Sequence, residues 1–127
     1  MLVQKKVEID PNETTGTIYF NKLFPLGIRA LTEAIELIKS GNPPRIRQDE
    51  SKANYDPLCR DEHSPIVWSK PAEAVFNHIR GCDPQPGASA RCQGHKIRFY
   101  DCSLKKTNNT SAPGEILKID QHSVSIS

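Results

Sequence analysis

The residues that could do chemistry are few and scattered. His78 stands two positions before Arg80 in "FNHIRG", and an imidazole titrating near neutrality is the usual general base. No nucleophile or carboxylate lies near it at an interpretable spacing. A histidine packed or capping at a junction between two parts of the chain is the preferred reading. Cys59 with His63 and Cys92 with His95 form two cysteine–histidine pairs, and two thiolates with two imidazoles are a ligand set that zinc accepts tetrahedrally. The 28 residues between the pairs fit no common finger spacing, so no metal site is assigned and inert thiols with surface histidines are expected. Lys96, Arg98, Lys105 and Lys106 make a loose basic cluster. Such a cluster contacts phosphates where it forms a continuous face, but a solvated charged surface is preferred because Tyr100 is the one aromatic candidate nearby for base stacking. No glycine-rich phosphate loop occurs. No catalytic, cofactor-binding or metal-binding residue is therefore named, and the four basic residues stand as candidate nucleic-acid contacts.

The elements that must position these residues follow from periodicity. "LVQKKVEI" places Val3, Val7 and Ile9 on one side of a two-residue period and predicts a strand. Phe24, Ile28, Leu31, Ile35 and Ile38 recur at three- and four-residue steps, which predicts a helix with one buried stripe, ended by Gly41, Pro43 and Pro44. Leu26, Ala30 and Leu37 add a second apolar face, so two packing neighbours are expected. Residues 42–67 lack a sustained period and read as a linker with short extended pieces near Arg45 to Gln48 and Ile66 to Trp68.

In "WSKPAEAVFNHIRG", Ser69 is expected to cap a helix from about Lys70 to Arg80, with Pro71 and Glu73 in its first turn and Gly81 as its left-handed exit. "HKIRFYDCSL" predicts a strand and "EILKIDQHSVSI" two more around a "DQHS" turn. The expected fold class is α+β, divided into residues 1–41, a linker over 42–67, and 68–127.

Seventeen Lys and Arg against fifteen Asp and Glu leave a net charge of +2, too small to imply a nucleic-acid partner by itself. Apolar residues are 36% and mean hydropathy is −0.56, ordinary for a water-soluble chain with generous loops. No apolar run reaches membrane-span length and Met1 is followed by no signal-peptide core, so a cytoplasmic location is expected. On that expectation four free thiols follow, and the sequons at Asn12, Asn108 and Asn109 are coincidences.

With those elements placed, the chain resembles the folate-dependent formyltransferase family. Its members include methionyl-tRNA formyltransferase, the hydrolase module of 10-formyltetrahydrofolate dehydrogenase and sugar-nucleotide formyltransferases. "LVQKKVEIDPNETTGTIYFNKLFPLGIRALTEAIELIKSG" looks like the last strand and helix of the family's Rossmann-like catalytic domain. "WSKPAEAVFNHIRGCDPQPGA" is similar to the pattern that opens its C-terminal domain, and "HKIRFYDCSL" and "APGEILKID" look like strands of that domain's OB-like barrel. "GTIYFNKLFPLGI" and "FYDCSL" lean toward the dehydrogenase's hydrolase type.

The resemblance implies 10-formyltetrahydrofolate as cofactor of a parent protein, a catalytic formyltransferase domain as partner in the parent chain, and, for the methionyl-tRNA type, tRNA against the basic cluster. The family's catalytic Asn, His and Asp align to no residue here, and Gln85 stands where many relatives carry tryptophan. The expectation is a fragment, the end of the Rossmann-like domain followed by a partial OB-like domain, inactive alone. A stand-alone RNA- or protein-binding module is the alternative.

Overall fold

The computed structural model describes residues 1–108 and 110–127; the sequon reading at Asn109 lies outside them. The chain divides into two compact units, Met1–Leu58 and Cys59–Ser127.

The first unit is built on one long helical run. α1 (Thr15–Ile18) opens with a reciprocal cap: the Thr14 hydroxyl accepts from the Thr17 amide at 3.2 Å while the Thr14 amide donates to Thr17 Oγ1 at 2.9 Å, satisfying two of the amides that a helix start leaves unpaired. A π-helical turn over Tyr19–Leu23 then leads into α2 (Phe24–Lys39). Within that turn the Phe24 amide reaches back five residues to the Tyr19 carbonyl. Pro25 follows immediately and has no amide to donate, so the widened turn sits where the ordinary four-residue ladder would be interrupted. Gly41, at φ +84°, closes the helix as expected.

Two expectations for this unit are corrected. Residues 2–9 join no strand ladder; Met1 exchanges main-chain bonds with Ile46 at 3.0 and 2.9 Å. A strand exists through its partner, and no neighbouring strand in this unit offers one to residues 2–9. The segment is instead tied to the helical run by Lys5–Glu33 at 2.5 Å and by Lys22 Nζ donating to the Glu8 carbonyl at 2.7 Å. The second correction concerns which helix face is covered. Leu26, Ala30 and Leu37 are half-buried, whereas Phe24, Ile28, Leu31, Ile35 and Ile38 lie 44–64% exposed. The stripe with the larger side chains is thus the more exposed of the two.

Among its described residues the second unit carries α3 (Ala72–Cys82) and four strands, β1 (Ala88–Cys92), β2 (His95–Phe99), β3 (Ile116–Ile119) and β4 (Val124–Ile126). They form two antiparallel pairs, β1–β2 and β3–β4. The architecture is a small α+β fold. α3 begins later than the sequence predicts: Pro71 is its cap, with no side-chain cap bond, and the Ala74 and Val75 amides donate to the Pro71 carbonyl at 2.8 and 3.1 Å. A proline biases the residue before it away from helical geometry, so Lys70 stays outside and Ser69 is too far upstream to cap. The same rule moves the other end. Gly81 lies inside the helix, and the exit is made by Asp83, extended at φ −90°, ψ 125° ahead of Pro84.

β1 is a strand that periodicity misses. It is joined to β2 through Gln93 and Gly94, both at positive φ (49° and 83°), the paired left-handed conformation of a two-residue hairpin whose twist matches its strands. Ala88 pairs with Phe99 and Cys92 with His95. On the far side of β1, Pro65 makes a parallel bridge to Ser89. The core gathers where α3 crosses this sheet: Ile79, Cys82 and Ala88 are buried, with Ile66, Val75, Phe99 and Cys102 packed on them. Trp68 stands edge-on to Phe99, ring centroids 5.6 Å apart.

Candidate functional site

The polar chemistry of the second unit centres on the junction between residues 61–66 and the β1–β2 hairpin. Asp61 opens a single 3₁₀ turn (Asp61–His63). Its carboxylate receives Lys96 at 2.6 and 2.8 Å and Arg98 Nη2 at 2.6 Å. Lys96 and Arg98 are two apart on β2, so both side chains leave the same face of the hairpin and reach one acceptor. Hydrogen bonds from Lys96 first and Arg98 second hold the Asp61 carboxyl down to about 2. Arg98 also donates to the carbonyls of Gly87, at 2.9 Å, and Pro86, fixing the entry to β1.

Beneath this ionic layer lies a buried one. Ser64 and Ser89 are both buried, their hydroxyls 2.8 Å apart. The Ser64 carbonyl accepts from the Ser89 amide at 2.7 Å, and the Ser89 carbonyl from the Ile66 amide at 2.7 Å. His78, from α3, brings Nε2 to 3.1 Å of that same Ser64 carbonyl. A carbonyl can only accept, so Nε2 carries the hydrogen. The imidazole thus joins α3 to the 61–66 segment within the second unit, and its ring nitrogen is directed at a backbone acceptor. Cys82 Sγ lies 3.9 Å from the same nitrogen. Burial, together with the neighbouring Cys59 thiol, pushes the Cys82 thiol up to about 11; a thiol so protonated is a poor nucleophile.

The remaining sequence candidates are placed as follows. Cys59 neighbours Cys82, while His63 uses Nδ1 to accept the Arg60 amide at 3.0 Å. Cys92 and His95 face each other as the closing pair of the hairpin. Among the described residues no three His, Cys, Asp or Glu side chains converge as metal ligands would. Of the basic cluster, Lys96 and Arg98 come together on Asp61, whereas Lys105 and Lys106 lie exposed in the irregular segment between β2 and β3 and take no part in that node. The residues that sequence reasoning missed are Asp61, Ser64, Ser89 and Arg91. Alternation of Lys96 and Arg98 announces a charged face but not its counter-ion 35 residues away, and two serines 25 apart carry no sequence signal for a buried pair.

An open groove of about 400 Å³ runs along this junction. Pro65, Ile66, Trp68 and Ala90 supply apolar walls, with Asp61, Arg91 and Lys96 at its polar side.

Comparison with known proteins agrees with this anatomy. Residues 59–127 match the family model described as formyl transferase, C-terminal domain, a span that coincides with the second unit. Human mitochondrial 10-formyltetrahydrofolate dehydrogenase is 40% identical over 119 residues, and Xenopus laevis cytosolic 10-formyltetrahydrofolate dehydrogenase is 41% identical over 120. Each alignment covers 94% of this chain and 13% of the relative. Methionyl-tRNA formyltransferase of Bacillus velezensis is 34% identical over 124 residues, 98% of this chain and 39% of that protein. The chain therefore spans a minor part of the relatives' length. With the family model covering more than half of its residues, the chain belongs to the formyl transferase family, through that family's C-terminal domain.

Proposed function

We propose that this chain forms the domain junction and accessory domain of a 10-formyltetrahydrofolate-dependent formyltransferase or formyl hydrolase, and that the reacting groups belong to the catalytic domain of the parent protein. In this reading residues 1–41 correspond to the end of a Rossmann-like catalytic domain and the β1–β4 region to part of an OB-like barrel. The parent's chemistry places a formyl carbonyl against oxyanion-stabilising donors while a carboxylate assists proton transfer; this chain positions that machinery.

The observation that carries the reading is the engagement of His78. The best acid–base candidate in the chain directs Nε2 at the Ser64 backbone carbonyl, 3.1 Å away, which suits a structural clamp between α3 and the 61–66 segment. The named relatives, aligned over 94% or more of the chain, supply the reaction class. The test has two arms. Recombinant chain alone is expected to show no folate-dependent formyl transfer or release. A chimera in which this chain replaces the aligned stretch of the Bacillus velezensis enzyme is expected to fold and retain transfer. Turnover by the chain alone would overturn the proposal.

A second reading, a contact surface for RNA, is favoured by Lys105 and Lys106, which stay outside the Asp61 node and so remain available for phosphate. Titration with tRNA at low salt is expected to give binding that weakens as salt rises, and K105E/K106E to remove it. Binding unaffected by that charge reversal would dismiss the reading.

A further inference from the structure

All four cysteines lie in the second unit as free thiols, and two that stand 23 positions apart meet in the fold. The Cys59 thiol is hydrogen-bonded to the Cys82 thiol. Both sides of that contact are anchored. Next to Cys59, the Arg60 amide donates to His63 Nδ1 at 3.0 Å, and Asp61 is held by Lys96 and Arg98 of β2. Cys82 is the last residue of α3. Its carbonyl accepts the Gly87 amide at 2.8 Å, and its side chain packs in the core with Ile79 and Ala88.

A disulfide holds its sulfurs about 2.05 Å apart, and sulfurs already in hydrogen-bond contact have a small gap left to close. The two thiols differ in reach. Cys59 is exposed, whereas Cys82 is 3% exposed. Burial keeps Cys82 protonated, so it does not begin an exchange with a thiol reagent. Cys59 begins it and Cys82, the neighbouring thiol, completes it.

We propose that Cys59 and Cys82 are a redox pair, closed reversibly to a disulfide by a low-molecular-weight disulfide such as oxidised glutathione. The Cys59 thiolate attacks one sulfur of the small disulfide and expels a thiolate. Cys82 then attacks the Cys59 sulfur and expels the second small thiol. Each expelled thiolate takes up the proton that its attacker gave up. Two protein thiols become one disulfide, and two electrons pass to the small disulfide, which leaves as two thiols.

The bond has a structural consequence. The 61–66 segment is held to α3 by His78 Nε2 on the Ser64 carbonyl, 3.1 Å away. A Cys59–Cys82 bond ties the start of that segment to the end of α3 covalently and closes the chain between them into a loop, which restricts the unfolded chain. The oxidised second unit is therefore the more stable form. In a reducing compartment such a bond is transient and follows the redox state.

The test uses the full 127-residue chain, reduced, freed of reductant, incubated with oxidised glutathione, blocked with N-ethylmaleimide and digested with trypsin. Arg60, Arg91 and Lys96 separate the four cysteines into four tryptic peptides, so mass spectrometry identifies the linkage directly. A Cys59–Cys82 cross-link is expected. In glutathione redox buffers its formation constant is expected to be at least about tenfold higher for the folded chain than for the chain in urea, where no contact positions the thiols. The cross-link is expected to raise the melting temperature of the second unit by about 5 °C or more, and dithiothreitol to reverse the rise. C59A, a change at an exposed position, is expected to abolish both the cross-link and the response to glutathione. Glutathione adducts without a cross-link, a bond from Cys59 to Cys92 or Cys102, equal formation in urea, or a cross-linked chain that melts no higher than the reduced one would each overturn the proposal.

Discussion

The buried hydroxyls of Ser64 and Ser89, 2.8 Å apart, have a defined direction. Ser64 Oγ also lies 2.7 Å from the Asp61 carbonyl, which can only accept, so the Ser64 hydrogen is committed there and Ser89 donates to Ser64. The two substitutions to alanine are therefore unequal. Ser64→Ala removes the donor to Asp61 and the acceptor of Ser89, stranding a buried hydroxyl; about 1–3 kcal/mol of stability is expected to be lost. Ser89→Ala leaves Ser64 still bonded to Asp61 and is expected to cost less. The double variant is expected to cost less than the sum, as contacting partners do. Urea unfolding of the three variants measures all of this.

Gly114 and Gly94 separate two causes of glycine requirement. Both adopt positive φ, +81° and +83°, where an L-residue is strained by roughly 1–3 kcal/mol. A Cβ on Gly94 meets nothing within 4 Å, whereas one on Gly114 falls 2.8 Å from Trp68 Cγ. Gly94→Ala is expected to carry the conformational cost alone. Gly114→Ala adds a collision with a ring that packs edge-on to Phe99, and so is expected to lower the melting temperature further. Trp68 is the sole tryptophan, so its emission reports the displacement directly: shifted in G114A, unchanged in G94A.

His78 is expected to be the Nε2–H tautomer when neutral, because its partner is a carbonyl. Long-range nitrogen–proton NMR correlations distinguish the two tautomers. His78→Ala is expected to loosen α3 from the 61–66 segment and destabilise the second unit by about 1 kcal/mol or more, and a glutamine, whose amide can donate to the same carbonyl, to recover part of the loss. The Nδ1–H form would contradict the hydrogen-bond direction.

How legible this structure was depends on the kind of signal each element sends. The helix Phe24–Lys39 is readable because five large apolar residues repeat at helical steps, yet the sequence cannot say which of two apolar faces is the less exposed, since that depends on tertiary contacts rather than on periodicity. The helix Ala72–Cys82 is legible in the sequence but both its ends lie two residues beyond the expected ones, because Pro71 and Pro84 constrain the residue before them more strongly than Ser69 or Gly81 attract a cap. β3 and β4 are legible as two short extended runs on either side of the "DQHS" turn, rich in Ile and Val. β1, "ASARC", has no β-branched residue, and its best clue was the adjoining Gln-Gly pair ahead of a clear strand. The four basic candidates illustrate the remaining limit: two of them are bound to Asp61, a relationship made by tertiary folding over 35 and 37 residues.

That ion-pair node predicts a specific acid response. Asp61 is depressed in the fold from its ordinary 3.8 to about 2, chiefly by Lys96 and then Arg98. A depressed carboxyl stabilises the fold fully above its unfolded value and loses that contribution as pH falls through the folded one. The stability difference between the parent chain and Asp61→Asn is therefore expected to be constant above about pH 5, to shrink between about pH 4 and pH 2, and to vanish below that window. The side chains are substantially exposed, so the difference is expected to narrow in high salt, where the screening length falls to about 3 Å at 1 M. Denaturant melts of both proteins across this pH range, at low and high salt, provide the measurement. A difference that persists unchanged at pH 2 would show that the Asp61 charge is not what holds the 3₁₀ turn to β2.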